Sequence, residues 1–291
     1  MEREQQLHPH VLCIGAGNMA AALLVPAVRN GAINAQHLVL AEPDTSKHAV
    51  FTHLGASCTT SVMEALVHVP DDTILMLAVK PQHLSDVCAA FDLAAGRKFL
   101  AHPRTCISIL AGSTRDGISH QFRRAVYSAD IRVIRVMPNT PAGVGKGIAA
   151  ICAGATVDEA HLTFARTLLS ATSTLIDLDE SMFDAFTAIA GSGPAYLFYL
   201  VEAMQRGAEA VGFDSATART LAERTVVGSA HLLESSDSSA QELRTAVTSK
   251  GGTTQAATTE MDNHDVMQTV ADAIVKARDR GRELGQASGK E

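Results

Sequence analysis

Three clusters of residues in this chain have the types and spacing to do chemistry. The first lies in VLCIGAGNMAAALL, residues 11–24. Gly15, Gly17 and Ala20 fill the pattern G-x-G-x-x-G/A. The first glycine permits a tight turn, the second lets a pyrophosphate approach the backbone, and the small third residue lets the next helix pack on the strand. That helix start offers free N–H groups and a positive dipole end to phosphates. Glycine spacing alone says little, but here a strand precedes it, a helix follows and a βαβ unit surrounds it. The second cluster is AGSGPAY, residues 190–196. Pro194 suits a first helical turn, and tight helix packing outweighs phosphate binding as its reading. The third is TSKGGTT, residues 248–254, where glycines and Thr/Ser hydroxyls converge on a helix start. That composition suits a small carboxylate, or equally a helix cap with a turn.

The elements that must position these clusters follow from periodicity. Strands are expected at Val11–Ile14, Leu38–Glu42, Thr73–Val79, Cys106–Leu110, Arg132–Met137 and Ile148–Cys152, with a seventh at Thr174–Asp177. Helical stretches separate them, near Met19–Asn30, Ser61–Val69, Pro81–Ala90, Thr114–Phe122 and Asp158–Leu169. This alternation implies right-handed crossovers and a sheet covered on both faces. After about residue 177 no strand-like run follows, and helical spacing dominates. The expected fold is therefore α/β: an N-terminal Rossmann-like, doubly wound, mostly parallel sheet over residues 1–177, then an all-α domain over 178–291. The broad apolar faces of that second domain suit burial against a second copy, with a compact monomeric bundle as the alternative.

Several strand ends meet on the carboxyl edge of the sheet, where open α/β folds bind ligands. Glu42 ends the second strand and is placed to accept from both adenosine ribose hydroxyls. Its competing reading is a solvated residue opening the turn Glu42-Pro43-Asp44. LAVKPQ (77–82) ends the third strand, and Lys80 between Val79 and Pro81 suggests a shaped turn along the cofactor. ILAG (109–112) and MPNTP (137–141) end further strands there. Asn139 is counted with the cofactor site, although capping its turn is the more usual use of Asn.

Composition excludes other classes. The formal net charge is −7 and no basic stripe occurs, which argues against nucleic acid as a partner. The five cysteines include no C-x-x-C pair, so neither a disulfide framework nor a zinc site is expected, and a reducing compartment fits. The polar start MEREQQLHPH has no signal-peptide core, and no run of about eighteen apolar residues exists to span a membrane. A cytoplasmic enzyme without a metal is the expectation, the histidines showing no H-E-x-x-H spacing.

GAGNMA, AVKPQ, MPNTPAGV, GSGPAY and TSKGGTT, in this order and spacing, resemble the pyrroline-5-carboxylate reductase family from about residue 11 to 285. The resemblance implies NAD(P)H-dependent reduction of 1-pyrroline-5-carboxylate to L-proline, the last step of proline biosynthesis, by hydride transfer to the imine carbon. It also implies a helical domain interleaved with a second subunit, giving a homodimer or a multiple of dimers. Carried over by position, Ile14, Gly15, Ala16, Gly17, Asn18 and Met19 hold the cofactor with Ala78, Val79, Lys80 and Pro81. Leu110 and Ala111 fall near the nicotinamide end. The substrate loop falls on Ser249, Gly252, Thr253 and Thr254. The N–H groups of Gly252 and Thr253 would hold the carboxylate, and the Thr254 hydroxyl would face the ring nitrogen. An acidic substrate residue falls on Asp179, which could as easily cap the helix after it.

Departures from the family pattern bear on cofactor and affinity more than on reaction class. Lys250 stands where Pro is usual, and Ala190 where Ser precedes GSGPAY. Ser61 or a neighbour stands where relatives often have Asn near the adenosine. Glu42 replaces residues suited to a 2′-phosphate. It should accept the 2′- and 3′-hydroxyls of NADH and repel the phosphate of NADPH, with Lys47 and His48 offsetting the repulsion only in part. Two other readings stay open. A β-hydroxyacid-type dehydrogenase should carry a catalytic Lys on the first long helix of its second domain, and PAYLFYLVEAMQRG has none. A non-catalytic NAD(H)-binding regulator is the other.

Overall fold

Three runs, Val11–Ile14, Leu38–Ala41 and Ile74–Leu77, are apolar and buried at every position, as strands covered on both faces must be. In the computed structural model, which describes residues 9–288, they are β1, β2 and β4 of one eight-stranded sheet. The others are β3 (Ser57–Thr59), β5 (Arg104–Ser108), β6 (Ile131–Met137), β7 (Gly147–Ala153) and β8 (Ser173–Asp177). Their order is β3-β2-β1-β4-β5-β6-β7-β8. Neighbours run parallel except β6 and β7. β7 turns back because only residues 138–146 join it to β6, too few for a crossover to a parallel strand. β3 has no counterpart in the sequence-based expectation: its three residues, SCT, carry no apolar alternation.

Alternate residues of each strand feed two cores. Val11 and Cys13 join Leu23, Leu24, Phe164 and Leu168, on helices Asn18–Arg29 and Glu159–Ser170. Leu12 and Ile14 join Val87, Phe91 and Phe122, beside helices Leu84–Ala90 and Arg115–Ala125. Phe91 and Phe122 meet edge to face, with ring centroids 5.4 Å apart. The chain runs outward from β1 to β2 and β3, then returns to set β4 on the other side of β1. Strand order thus reverses between β1 and β4, which opens a crevice at their carboxyl ends.

The chain divides into two compact units, residues 1–191 with 278–291, and residues 192–277. The first unit reaches past the boundary expected at 177 because Phe183, Phe186 and Ala190 form a small core with Ala150 of β7. The C-terminal stretch joins this unit through close contacts: a Cβ at Gly281 would lie 3.6 Å from Asp184, and one at Gly285 would lie 3.5 Å from the Gly112 carbonyl oxygen.

The second unit holds helices Gly193–Ala210, Ser215–Ser235, Ala240–Ala246 and Thr253–Asn263, and the first part of Val266–Ser288. Among its described residues only Ala218 and Ala222 are buried, while Phe198, Tyr199, Leu232 and Met267 are each more than half exposed. No described helix is long and apolar enough to cross a membrane.

Phe122→Ala should cost about 3–5 kcal/mol, since the ring is fully buried at a two-aromatic contact. Chemical denaturation in which the midpoint shift times an unchanged slope gives this loss is the check.

Candidate active site

The turn after β1 exists because its first residue is glycine. Gly15 has φ of 99°, and a Cβ there would lie 2.6 Å from the Ala78 carbonyl oxygen at the end of β4. Any other residue would strain the backbone and clash at once. Gly15 N–H donates to the Ala41 carbonyl at 2.9 Å, tying the turn to the end of β2. Gly17 is different: a Cβ there meets nothing within 4 Å. It is the N-cap of helix Asn18–Arg29 and gives that helix no side-chain cap. The first-turn N–H groups, which have no partner within the helix, thus take no N-cap side chain either. Ala20 is buried where the helix crosses the sheet. This cradle fits a dinucleotide pyrophosphate, whose charge the helix start would hold.

Glu42 follows β2 and is 8% exposed. Its carboxylate accepts from Ala16 N–H at 2.9 Å through Oε2, and from Asp44 N–H at 3.0 Å and Lys47 Nζ at 3.2 Å through Oε1. Burial acts to raise its pKa, but the Ala16 and Asp44 N–H groups and Lys47 together outweigh it and hold the pKa below the usual carboxylate value. Lys47 also reaches Asp44, at 3.4 Å, and its own pKa is raised, chiefly by its bond to Glu42. His48 Nε2 lies 2.7 Å from the Glu42 carbonyl oxygen. The solvated-turn reading of Glu42 is thus not what the structure shows: the charge points into the glycine loop.

Other expected residues take their places on the same edge. Ala78 N–H bonds the Ile14 carbonyl at 2.9 Å, and Ile109 N–H bonds the Leu77 carbonyl at 3.1 Å. Lys80 precedes a short 3-10 turn over Pro81–His83 without capping it by its side chain, and Leu110 is 1% exposed. Ser61 caps helix Val62–Leu66 by accepting from Glu64 N–H at 3.2 Å. Asn139 is buried with both ends of its amide engaged: Nδ2 donates to the Ala190 carbonyl at 3.1 Å, and Oδ1 accepts from Ile148 N–H at 3.0 Å. Its side chain therefore ties the MPNTP turn to the π-helical turn Thr187–Gly191. A Cβ at Gly191 would lie 3.1 Å from Met137 Cε, so this glycine serves close packing.

Asp179 is exposed and makes no side-chain cap. Its neighbour Glu180 makes the bonds instead, to Arg115 at 3.0 Å and Arg135 at 3.1 Å. Sequence reasoning missed this cluster. The available signal was Arg135 inside the otherwise apolar run of β6, where a charge needs a partner.

In the second unit, Ser249, Gly252, Thr253 and Thr254 share one turn. Gly251 has φ of 76°. A Cβ at Gly252 would lie 2.5 Å from Ser249 Oγ. Gly252 is the N-cap of helix Thr253–Asn263 and, like Gly17, supplies no side-chain cap. One assignment needs correction. Gly252 N–H donates to the Ser249 carbonyl at 3.0 Å and is held by the turn. The donors without a partner inside the helix lie further on, at Thr253 and Thr254.

The parallel sheet, its switch-point crevice and the glycine-led helix start define a dinucleotide-dependent oxidoreductase. Comparison with known proteins narrows this. A family model described as pyrroline-5-carboxylate reductase dimerisation matches residues 180–284, and one described as NADP oxidoreductase, coenzyme F420-dependent, matches residues 10–112. Pyrroline-5-carboxylate reductase of Haemophilus influenzae is 33% identical over 95% of this chain and 98% of its own length. The Pseudomonas aeruginosa enzyme is 34% identical over 97% and 99%. The structure of a Coxiella burnetii pyrroline-5-carboxylate reductase superposes with a TM-score of 0.81 at 30% identity, covering 96% of this chain and 99% of that one. The chain belongs to the pyrroline-5-carboxylate reductase family. Its reaction is the NAD(P)H-dependent reduction of 1-pyrroline-5-carboxylate to proline.

The two glycines of the first turn separate folding from binding. Gly15→Ala should lower both the melting temperature and cofactor affinity. Gly17→Ala should leave the melting temperature near wild type and weaken the cofactor by about tenfold or more, equivalent to about 1.4 kcal/mol. Thermal melts beside fluorescence titrations with reduced nicotinamide dinucleotide test the split.

Proposed function

We propose that this chain catalyses the reduction chiefly by orientation, with two anion-holding helix starts doing the aligning. The carrying observation is that Gly17 and Gly252 each begin a helix without a side-chain cap. The N–H groups at Asn18 and Met19 hold the cofactor pyrophosphate, with Gly15, Ala16 and the Ala78–Pro81 turn shaping the crevice. Leu110 and Ala111 flank the nicotinamide end. Bound reduced nicotinamide supplies the hydride. In the second unit, the N–H groups of Thr253 and Thr254 hold the substrate carboxylate, while Ser249 and Gly252 shape the loop. The Thr254 hydroxyl faces the ring nitrogen. A protonated imine already accepts hydride readily: the hydride bonds to the imine carbon, and the C=N π electrons move to nitrogen, which keeps its proton. No side chain has to act as acid or base, and alignment carries the rate. Purified protein should oxidise reduced cofactor only when pyrroline-5-carboxylate is present. Folded protein inert with both NADH and NADPH would favour the binding-only reading.

The second part of the proposal is a preference for NADH. Glu42 Oε2 has one bond from protein, to Ala16 N–H, and retains capacity for a ribose hydroxyl. A 2′-phosphate would meet the same charge. Unit charges about 4 Å apart repel by roughly 4 kcal/mol at an effective dielectric of 20, and Lys47 and solvent reduce this. A third part is the homodimer. The exposed Leu197, Phe198 and Tyr199 on one helix and Leu232 on the next support burial against the helices of a second copy, within the helical unit of residues 192–277. Five free cysteines support a reducing setting, the cytoplasm.

Three measurements check these parts. Thr254→Ala should lower kcat/KM by roughly ten- to a hundredfold, about 1–3 kcal/mol for a lost hydrogen bond, and Thr254→Ser should restore most of it. Wild type should favour NADH in kcat/KM by about ten- to a hundredfold; Glu42→Ser should move the ratio toward NADPH. An unchanged ratio would remove Glu42 from cofactor choice. Sedimentation at micromolar concentration should show dimers or their multiples and no folded monomer.

A further inference from the structure

We infer that Glu180 is a positioning residue for hydride transfer, fixing the loop 109–114 between β5 and helix Arg115–Ala125 through Arg115 and Arg135. The inference rests on the proposed placement of Leu110 and Ala111 beside the nicotinamide.

The loop is pinned at its start by the sheet, where Ser108 Oγ accepts from Leu110 N–H at 3.3 Å. It turns at Gly112, with φ of 72°. Its far end is the first turn of a helix whose N–H groups need partners from outside. Thr114 Oγ1 takes one, from Gly117 at 3.0 Å. Glu180 takes another from 65 residues away: Oε1 accepts from Arg115 N–H at 2.8 Å and Oε2 from Arg115 Nε at 3.0 Å. The same carboxylate is held in turn. Arg135 Nη1 donates to Oε1 at 3.1 Å, and the Arg135 guanidinium lies 4.5 Å over the Phe183 ring, its side chain 6% exposed. Arg115 Nη1 donates to the Ala153 carbonyl at 2.6 Å. The end of the loop is thus fixed to β6, to β7 and to the segment after β8. Burial acts to raise the Glu180 pKa, but the Arg115 N–H and both guanidiniums outweigh it, so the charge is kept.

A half-buried ion cluster is weak evidence for stability, since apolar residues of similar volume serve as well or better. What this one adds is direction. It sets where the backbone of residue 115 sits, and so how far the preceding residues reach toward the crevice. Direct hydride transfer depends on such distances, and an error of about 1 Å can cost roughly a hundredfold in rate.

The test uses Glu180→Ala and Glu180→Gln in the full-length enzyme. The readouts are kcat, KM for pyrroline-5-carboxylate, cofactor Kd by fluorescence and the deuterium isotope effect with labelled NADH. Glu180→Ala should lower kcat by about ten- to a hundredfold while Kd changes by less than about threefold. The isotope effect on kcat should rise as hydride transfer becomes limiting. Glu180→Gln keeps an acceptor for Arg115 N–H and should lose less. Unchanged kcat and isotope effect, or a loss seen only in melting temperature, overturns the inference. Should Glu180→Ala fail to fold through an unpaired Arg135, the double variant Glu180→Gln/Arg135→Met removes both charges; normal kcat in it also overturns the inference. Ala111→Leu separates the underlying reading. If it alters neither cofactor Kd nor kcat, the placement of the loop beside the nicotinamide is wrong. If it alters them and the Glu180 variants do not, only the role of Glu180 falls.

Discussion

Every α-helix begins with backbone N–H groups that it cannot satisfy itself, and the proposed mechanism depends on where they are left open. Some starts are closed by their own sequence. Thr114, Asp158, Asp214 and Ser239 accept from first-turn N–H groups of their helices. Gly17 and Gly252 are among the N-caps that do not, as are Leu93 and Ser192, and the two glycines differ in having no side chain to crowd the approach. A glycine N-cap removes the competing oxygen and lets another group's oxygen come close to the backbone. In the proposed mechanism a cofactor phosphate and a substrate carboxylate take those positions, one in each unit. The reaction then needs little beyond two anchored anions and a reducible C=N bond.

Glu42 places a negative charge beside this phosphate site, and its surroundings explain how the structure tolerates it. The carboxylate is one partner of the glycine loop, through Ala16 N–H, and it is balanced by Lys47. It therefore shapes the loop even without a ribose against it. Lys47 has a second carboxylate, Asp44, within ion-pair distance, which draws part of its charge away from any approaching phosphate. The cofactor class follows from the fold, and in the proposal the choice within that class turns on this one local balance of charge.

Much of the fold was legible because buried parallel strands announce themselves. Val11–Ile14 lies where its apolar run places it, and the helix after GAGN starts within one residue of expectation. The seven expected strands all occur, with ends shifted by a residue or two. β3 was not legible, because three residues, of which only Thr59 is buried, carry no pattern. The reversal of β7 is a matter of link length rather than of residue type. At the site, residue types named the chemistry but not the partners. Asn139 was placed with the cofactor, yet its amide bridges two backbone groups, because the burial of a single Asn cannot be read from its neighbours. Gly252 was expected to donate to a carboxylate, but its N–H closes the turn that makes the site. Asp179 drew attention for its charge, while Glu180 beside it faces two arginines from distant segments. Contacts of that range leave almost no local trace.

In the proposed mechanism the chain aligns a reduced nicotinamide with a cyclic imine so that hydride passes directly between them. Isotope transfer tests it most directly. Enzyme, pyrroline-5-carboxylate and NADH deuterated at the transferred position are mixed in ordinary water, and the proline formed is examined by mass spectrometry and NMR. One deuterium per proline is expected, at the former imine carbon, for each cofactor oxidised. Proline without deuterium, or cofactor that stays reduced in the presence of folded protein and substrate, would contradict it.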